Sequence, residues 1–166
     1  MLVARYTLRA HRAAFLLGAG EEADDVVQEA FVKAFRHLSR FRVGDPFAPW
    51  LLRIVANETK NLARSRRRNA ALAIRLSAAE TRAAADGPDD EVLAAERRAG
   101  LLAAVNALPD KERQVLVCRY FLDLTEAGTA QVLGWPVGSV KSRTFRALKR
   151  LRGLLVTGQQ KRVSSG

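Results

Sequence analysis

The C-terminal quarter of the chain carries the side chains best suited to binding a polyanion. After Glu126 the last forty residues contain no acidic side chain. Residues 133–151 have the pattern of a turn followed by a helix. One stripe of this helix can pack inward and consists of Val140, Thr144, Ala147 and Leu151. The opposite stripe offers cations, a hydroxyl group and an aromatic ring, on Lys141, Ser142, Phe145, Arg146 and Lys149. With no carboxylate to repel phosphate, this stripe suits a DNA groove.

The net charge of the whole chain also favours an anionic partner. The 166 residues include 28 Lys and Arg against 17 Asp and Glu, which gives a formal net charge of +11. The pI is about 11.0. Such a charge favours nucleic acid or an anionic membrane surface, although it says little about the fold.

The composition predicts an all-α fold. Hydrophobic residues make up 48% of the chain and can supply a core, whereas aromatic residues make up only 7%. Few β-branched runs or alternating patterns occur, so strands are not expected. The length allows one domain or two small helical domains.

The residue inventory excludes several classes of protein. Cys118 is the only cysteine, so no internal disulfide can form, and the chain fits a reducing cytoplasm, where we expect it. His11 and His37 stand far apart without a cysteine pair, so no metal site is visible. The N-terminal stretch is interrupted by arginines and no apolar run is long enough for a membrane span. No nucleophile–base pair or phosphate-binding loop stands out, so we expect neither an enzyme nor a cofactor.

Three helices are predicted in the first half of the chain. The first covers residues 2–17 and ends at Gly18, and the second covers residues 22–38. The apolar stripe of the second helix comprises Val27, Ala30, Phe31, Ala34, Phe35 and Leu38. The third helix begins near Pro46 and ends in the basic run 64–68. Its buried stripe is predicted to be Phe47, Trp50, Leu51, Ile54 and Leu62.

The second half of the chain predicts a helix-turn-helix. Helices are expected over residues 90–107 and 111–121, followed by a short helix that Thr125 caps and that ends at Leu133. A turn at Gly134 leads into the basic helix, and the short-helix, glycine-turn, helix order is the helix-turn-helix pattern. The predicted organisation is a first domain over 1–68, an alanine-rich flexible linker over 69–88, a second domain over 89–155 and a frayed tail over 156–166.

Two polar faces stand out on the first-half helices. Asp25, Gln28 and Glu29 point away from the apolar stripe of the second helix and form an acidic, amide-bearing patch. On the third helix, cations alternate with amides that can read base edges, along a side formed by Asn57, Lys60, Asn61, Arg64 and Arg67. From the residues alone, each face could equally be a solvated surface.

These segments together resemble a known family. Residues 24–31, Asp-Asp-Val-Val-Gln-Glu-Ala-Phe, resemble the second conserved region of bacterial sigma factors, and residues 47–68 resemble its promoter-melting segment. Leu108-Pro109, Arg113 and residues 134–151 resemble the fourth region. With the first and third regions absent, the order is similar to that of the extracytoplasmic-function, or group IV, sigma factors of RNA polymerase.

The resemblance implies roles for the faces of the first domain. It implies that Asp25, Gln28 and Glu29 dock on the coiled-coil of the polymerase β′ subunit, where an acidic patch suits a basic partner. It implies that the third helix holds the melted minus-ten strand through Asn57, Lys60, Asn61, Arg64 and Arg67. A flipped base would then sit in the loop over residues 39–45. Many relatives carry an aspartate where Asn61 stands.

The resemblance assigns the minus-thirty-five element to the second domain. Lys141, Ser142, Phe145 and Arg146 match family positions that face its major groove, while Lys149 and Arg150 are expected to hold phosphates. The same domain is expected to sit on the β flap of polymerase.

One departure from the family pattern lies in the short helix before the turn, where relatives place an acid near Gly128 and a large aliphatic residue at Thr129. A mid-helix glycine costs about 1 kcal/mol relative to alanine, so a less stable second domain is expected.

The functional prediction is a dissociable sigma subunit. It would bind core RNA polymerase, recognise both promoter elements and drive melting and initiation, with polymerase supplying the catalysis. The family also implies an anti-sigma protein as a partner. A free-standing helix-turn-helix regulator that acts without polymerase is the first alternative, and the basic, asparagine-bearing face of the third helix argues against it. An adaptor that binds only protein is the second.

Overall fold

In the computed structural model, residues 2–73 and 89–163 are described, and every regular element within them is helical. The α-helices are α1 (Leu2–Ala14), α2 (Ala23–Arg36), α3 (Phe47–Ala73), α4 (Asp89–Asn106), α5 (Asp110–Leu116), α6 (Glu126–Leu133) and α7 (Val137–Val163). Wider π-helical turns follow α1 at Phe15–Ala19 and α5 at Val117–Phe121. The all-α prediction is therefore confirmed for the described residues.

Helices α1 to α3 form an N-terminal body whose core is built largely from alanine and valine. Small side chains such as Ala10, Ala30 and Ala56 are at most 2% exposed, which lets the three helices approach closely. Gly18, with a φ of 114°, ends the turn after α1 where a side chain would be strained. Arg66 of α3 braces this turn, because its guanidinium donates to the carbonyl oxygens of Gly18 at 2.9 Å and Ala19 at 2.7 Å.

The predicted buried stripe of α2 is wrong at its C-terminal end. Val27, Ala30 and Ala34 are buried, but Phe35 is 81% exposed and Leu38 is 47% exposed. A step of four residues advances about 400° around a helix, so each such step rotates the side chain by about 40°. A row that starts at Val27 therefore drifts from the core to the surface by Phe35.

An aromatic cluster anchors the loop between α2 and α3. The ring of Phe47 lies 5.1 Å from that of Tyr6, 5.6 Å from that of Phe41 and 5.4 Å from that of Trp50. Tilted and edge-on rings at these separations stabilise beyond the area that they bury. The cluster thus ties the base of the loop to α1 and α3, while the side chain of Val43 at its tip is fully exposed.

Helices α4 to α7 form a C-terminal body, in which α6 and α7 are the predicted helix-turn-helix. The hydroxyl oxygen of Thr125 caps α6 by accepting from the backbone N–H of Gly128 at 3.0 Å. Gly134, with a φ of 69°, ends α6 in the left-handed conformation that glycine adopts without strain. Packing of α7 on α5 is fixed by Arg150, whose Nε lies 2.8 Å from the carboxylate of Glu112.

Helix α7 continues through Val163, so residues 156–163 of the predicted tail are helical in the structure. Leu151 and Leu155 are half-buried, and Leu155 lines a groove against α4 together with Leu101. The described side chains that follow Leu155 on α7, such as that of Val156, are exposed. The predicted linker lies mostly outside the described residues, and its start, residues 69–73, continues α3.

The two bodies lie against each other and share one hydrophobic core. Leu52, Val55 and Ala56 of α3 belong to the same buried cluster as a set from the C-terminal body, namely Val117, Cys118, Leu122, Leu124, Val132 and Leu133. Two polar contacts flank this cluster. Arg9 donates to the carbonyl oxygen of Leu122 at 2.6 Å, and Arg67 lies 3.4 Å from the carboxylate of Asp110.

The two unusual residues of α6 have different consequences. Gly128 lies in the first turn, not in mid-helix as expected, and its N–H is satisfied by the cap. A Cβ at this position would come within 3.2 Å of the Thr125 hydroxyl oxygen, so alanine would press on that cap. Thr129 is 0% exposed, and its hydroxyl oxygen has no hydrogen-bond partner among the described residues. The weakness of α6 is therefore at Thr129.

Replacing Thr129 with valine should raise the free energy of unfolding by about 1 kcal/mol, because it removes an unpaired buried hydroxyl and keeps the branched shape. Urea denaturation would measure the change. Thr59→Val is the matched control, since Thr59 is 3% exposed but donates to the Val55 carbonyl oxygen at 3.0 Å. The control should be neutral or destabilising, and equal losses of stability in both variants would contradict this assignment.

The thiol of Cys118 should report on the contact between the two bodies. Burial raises the pKa of this thiol to about 12 from the ordinary value of 9.0, and the nearby positive charge of Lys60 in α3 only partly opposes that rise. At pH 8 the thiolate fraction, and with it the rate of reaction with a disulfide reagent, should be about a thousandfold lower than for an ordinary cysteine. Urea should restore the ordinary rate. An equally fast reaction in the folded chain would show that Cys118 is not covered.

Candidate nucleic-acid interfaces

Helix α7 presents a cationic face to solvent. Val140 and Ala147 are 0% exposed against the rest of the C-terminal body. The structure places all the side chains of the predicted reading face on the exposed side, namely Lys141, Ser142, Phe145, Arg146 and Lys149. The ring of Phe145 is 72% exposed. This face is thus free to enter a groove.

Local contacts orient the reading face. The carboxylate of Glu126 in α6 lies 3.6 Å from Lys141 Nζ, and Arg146 Nε donates to the Ser142 carbonyl oxygen at 3.3 Å. Trp135 packs in the turn between the helices, with the guanidinium of Arg143 5.1 Å from its ring centroid. The turn and α6, the first helix of the helix-turn-helix, therefore hold α7 at a defined angle.

Arg150, which is expected to hold phosphate, also contacts another helix, although its side chain is 56% exposed. Its guanidinium pairs with Glu112, whose side chain is only 12% exposed. Removing that partner would leave a largely buried carboxylate uncompensated. Arg150 therefore contributes to the packing of α7 on α5, and both it and Lys149 beside it are exposed.

The polar side of α3 divides into a centre and two flanks. Asn57 and Arg64 are exposed at the centre. Lys60 and Arg67 lie on the flank that faces the C-terminal body, since the charge of Lys60 acts on the Cys118 thiol and Arg67 pairs with Asp110. Asn61 lies on the other flank, where it donates to Glu58 Oε1 at 3.4 Å. The structure thus brings the predicted residues onto one helix side but partly covers one flank.

Acidic side chains gather between α2 and α3. Asp25, Gln28 and Glu29 are exposed on α2, as expected. A shallow pocket of about 290 Å³ beside them is lined by Glu22, Asp25, Val26, Glu29, Glu58, Asn61, Leu62 and Ser65. Lys33 at its edge donates to Glu58 at 2.7 Å, and this hydrogen bond raises the pKa of Lys33. Lys33 thereby neutralises part of the acidic cluster, whereas Asp25 and Gln28 stay exposed to solvent.

Sequence reasoning missed an apolar strip that continues this acidic patch. Val32 is 44% exposed, Phe35 is 81% exposed and Leu38 is 47% exposed. Positions 25, 28, 32 and 35 recur at helical spacing and share one side of α2. That spacing was the signal that could have placed Phe35 with the acidic patch and not with the core.

Residues 2–73 and 89–163 contain no group of three or more His, Cys, Asp or Glu side chains arranged to hold a metal ion. Within the same ranges, no helix combines the length and the apolar character that crossing a bilayer requires.

Comparison with known proteins identifies both bodies. Sigma-70 region 2 matches residues 2–69, and Sigma-70 region 4 matches residues 98–151. The ECF RNA polymerase sigma factor SigW of Bacillus subtilis is 33% identical over 144 residues, which cover 82% of this chain and 77% of that protein. The ECF RNA polymerase sigma-E factor of Escherichia coli K12 is 32% identical over 157 residues, which cover 89% of this chain and 81% of that protein.

Solved structures give the same result. The fold is similar to that of the sigma factor RpoE in complex with the anti-sigma factor NepR from Bartonella quintana, with a TM-score of 0.73 and 24% identity over 93% of this chain and 94% of that one. CnrH, in complex with the cytosolic domain of CnrY, gives a TM-score of 0.68 and 29% identity over 94% of this chain and 86% of that one. From its two matched regions and these relatives, the chain belongs to the ECF family of RNA polymerase sigma factors.

Proposed function

We propose that this sigma subunit reads the two promoter elements with the exposed faces of α3 and α7, and docks on core RNA polymerase through α2. The observation that carries the assignment is the pairing of two separate cationic helix faces with one acidic and apolar face on an otherwise basic chain. A free-standing regulator needs only the cationic face of α7. That alternative therefore leaves the cationic face of α3 and the acidic and apolar face of α2 without a role.

The face of α7 suits duplex DNA. Lys141 and Lys149 lie at either end of the exposed stripe and can hold phosphates, while Arg146 at its middle can donate two hydrogen bonds to a guanine edge. The exposed ring of Phe145 offers an apolar contact for a thymine methyl group. We assign this face to the minus-thirty-five element.

The face of α3 suits a single strand. Asn57 and Arg64 project from the exposed side of α3. The loop before α3 is held at its base by the aromatic cluster and carries the exposed Val43 at its tip. A base taken out of the stack can be held there by hydrogen bonds to its edge, and the binding energy offsets the stacking that is lost. We assign Asn57, Lys60, Asn61, Arg64 and Arg67 to the minus-ten strand, with Asn61 at the border of the acidic pocket.

The two faces cannot serve one promoter while the bodies share a core. Elements centred at minus ten and minus thirty-five lie about 25 base pairs apart, or roughly 85 Å along B-form DNA. In the structure α3 packs directly on α6. We infer that a domain over 1–68 and a domain over 89–155 separate on the promoter, with residues 69–88 as the connection between them.

The acidic patch and the apolar strip of α2 form the proposed docking face for polymerase. Asp25, Gln28 and Glu29 offer charge and hydrogen bonds to a basic coiled-coil of the β′ subunit, and Phe35 adds an exposed apolar anchor. We further propose that the C-terminal body sits on the β flap, that the subunit is non-catalytic and cytoplasmic, and that an anti-sigma protein regulates it.

Reconstitution with core RNA polymerase and a promoter library tests the whole assignment. Transcripts that start at a shared pair of upstream elements, and only when the chain is present, would support it. Duplex binding without any polymerase-dependent transcript would favour the free-standing regulator, and the absence of both activities would favour the adaptor.

Arg146→Ala should weaken minus-thirty-five binding by about 1–3 kcal/mol and relax the preference at one base position, because a bidentate contact is lost. The measurement is holoenzyme binding to promoter variants by fluorescence anisotropy. Arg152→Ala removes the same charge from another exposed site on α7 and is the control. If both variants lose affinity equally for all sequences, Arg146 holds phosphate and not a base.

Phe35→Ala should weaken assembly with core polymerase about tenfold at any salt concentration. Asp25→Asn combined with Glu29→Gln should weaken it most at low salt, because added salt already screens these charges in the parent chain. Both changes are to exposed side chains, so the fold should persist. Leu8→Ala, at a side chain 79% exposed on α1, and Glu21→Gln, at an exposed acid outside the patch, are the matched controls. Unaltered assembly in the α2 variants would remove α2 from the docking face.

A further inference from the structure

A chain of polar contacts links Asn61, on the proposed minus-ten face of α3, to Lys33 of α2. The side-chain amide of Asn61 donates from Nδ2 to Glu58 Oε1 at 3.4 Å. The other carboxylate oxygen of Glu58, Oε2, accepts from Lys33 Nζ at 2.7 Å. Lys33 Nζ also lies 3.5 Å from Glu29 Oε1 on the acidic patch. An amide that is proposed to meet DNA is therefore bonded to a carboxylate that a second helix holds in place.

The ion pair between Glu58 and Lys33 is the firmer part of this chain of contacts. The side chain of Glu58 is 13% exposed and that of Lys33 is 34% exposed, so neither charge is fully hydrated. A carboxylate in such a position depends on its cation for stability. The hydrogen bond to Glu58 also raises the pKa of Lys33, which keeps its ammonium group charged. The pair thus holds a negatively charged acceptor beside Asn61.

A carboxylate determines which end of a neighbouring amide faces outward. An ionised carboxylate has only acceptors, so it can bond the NH₂ group of Asn61 but repels its carbonyl oxygen. A glutamine in place of Glu58 could bond either end. Asn61 is therefore held with Nδ2 toward Glu58, and its Oδ1 is left to accept a hydrogen bond from another molecule at an exposed position.

The surroundings of Asn61 favour the same kind of partner. Asn61 borders the shallow pocket between α2 and α3, whose charged lining residues are all acids, namely Glu22, Asp25, Glu29 and Glu58. A base edge that approaches this border meets acceptors, so amino groups are attracted and carbonyl oxygens are repelled. Adenine, cytosine and guanine each carry an exocyclic amino group, whereas thymine carries none. Thymine is therefore the base that this border should disfavour.

We propose that Glu58 and Lys33 are positioning residues that fix the Asn61 amide as a hydrogen-bond acceptor and so discriminate against thymine at one position of the minus-ten strand. The inference rests on the proposed function, because it refines how the minus-ten face reads a base. Neither Glu58 nor Lys33 contacts DNA in this arrangement. Both act through the orientation of Asn61.

Transcription by the reconstituted holoenzyme tests the base preference. Each minus-ten position of one promoter is varied through all four bases, and transcripts are counted by sequencing. Asn61→Ala first identifies the position that Asn61 reads. There the parent chain should use the amino-bearing bases about fivefold better than thymine, which is the factor that one neutral hydrogen bond supplies. Glu58→Gln and Lys33→Met should each lose most of that discrimination, whereas Lys33→Arg keeps the cation and should retain it.

Asn61→Asp separates positioning from a purely structural role. A carboxylate at this position accepts through either oxygen and needs no orientation, so discrimination against thymine should persist. In that background Glu58→Gln should no longer change the preference. If Glu58 only stabilised the fold, its replacement would lower transcription from all promoters alike in both backgrounds. Glu21→Gln removes an exposed acid outside the patch, and as the matched control it should leave the preference unchanged.

The outcomes distinguish this inference from the proposed function. Three results would overturn the inference while promoter-dependent transcription remains: no position that responds to Asn61→Ala, a discrimination that survives Glu58→Gln, or an equal loss in the Asn61→Asp background. If the parent chain directs no promoter-dependent transcription at all, the proposed function fails and the inference fails with it.

Discussion

The arrangement of this molecule depends on the burial of one side of α3 against the C-terminal body. Leu52 and Ala56 are each 2% exposed, and they share a core with Val132 and Leu133 of the helix-turn-helix. The same helix packs on α1 and α2 through other sides and leaves only its polar side for DNA. Because one helix serves both the core and the proposed minus-ten face, the position of the C-terminal body determines how much of that face is open.

The acidic residues of a strongly basic chain fall into two groups with different consequences. Glu22 pairs with Arg66, Glu58 with Lys33, and Glu112 with Arg150, so these carboxylates hold helices together. Asp25 and Glu29 remain exposed on α2, where they line a pocket that Asn61 of the proposed minus-ten face borders. The exposed acids of α2 concentrate negative charge where a basic protein partner can use it.

Much of the fold follows from local rules. Helical spacing, the cap at Thr125 and the turn at Gly134 predicted the helix-turn-helix and the exposed stripe of α7. Local rules failed where tertiary geometry decides, because Phe35 drifts out of the core. The contact between the two bodies could not be predicted from the sequence, since the residues that form it are equally suited to a core within either body. The same contact determines which flank of the α3 face is covered.

The separation of the two bodies is tested most directly by a distance measurement on the intact chain. Spin labels at residues 8 and 156, both exposed in the structure, would be introduced on a Cys118→Ala background and followed by pulsed electron resonance. The free chain should give a single short distance, and the complex with core polymerase and promoter should give one longer by tens of ångströms, toward the roughly 85 Å between the elements. An identical short distance in the promoter complex would contradict the account.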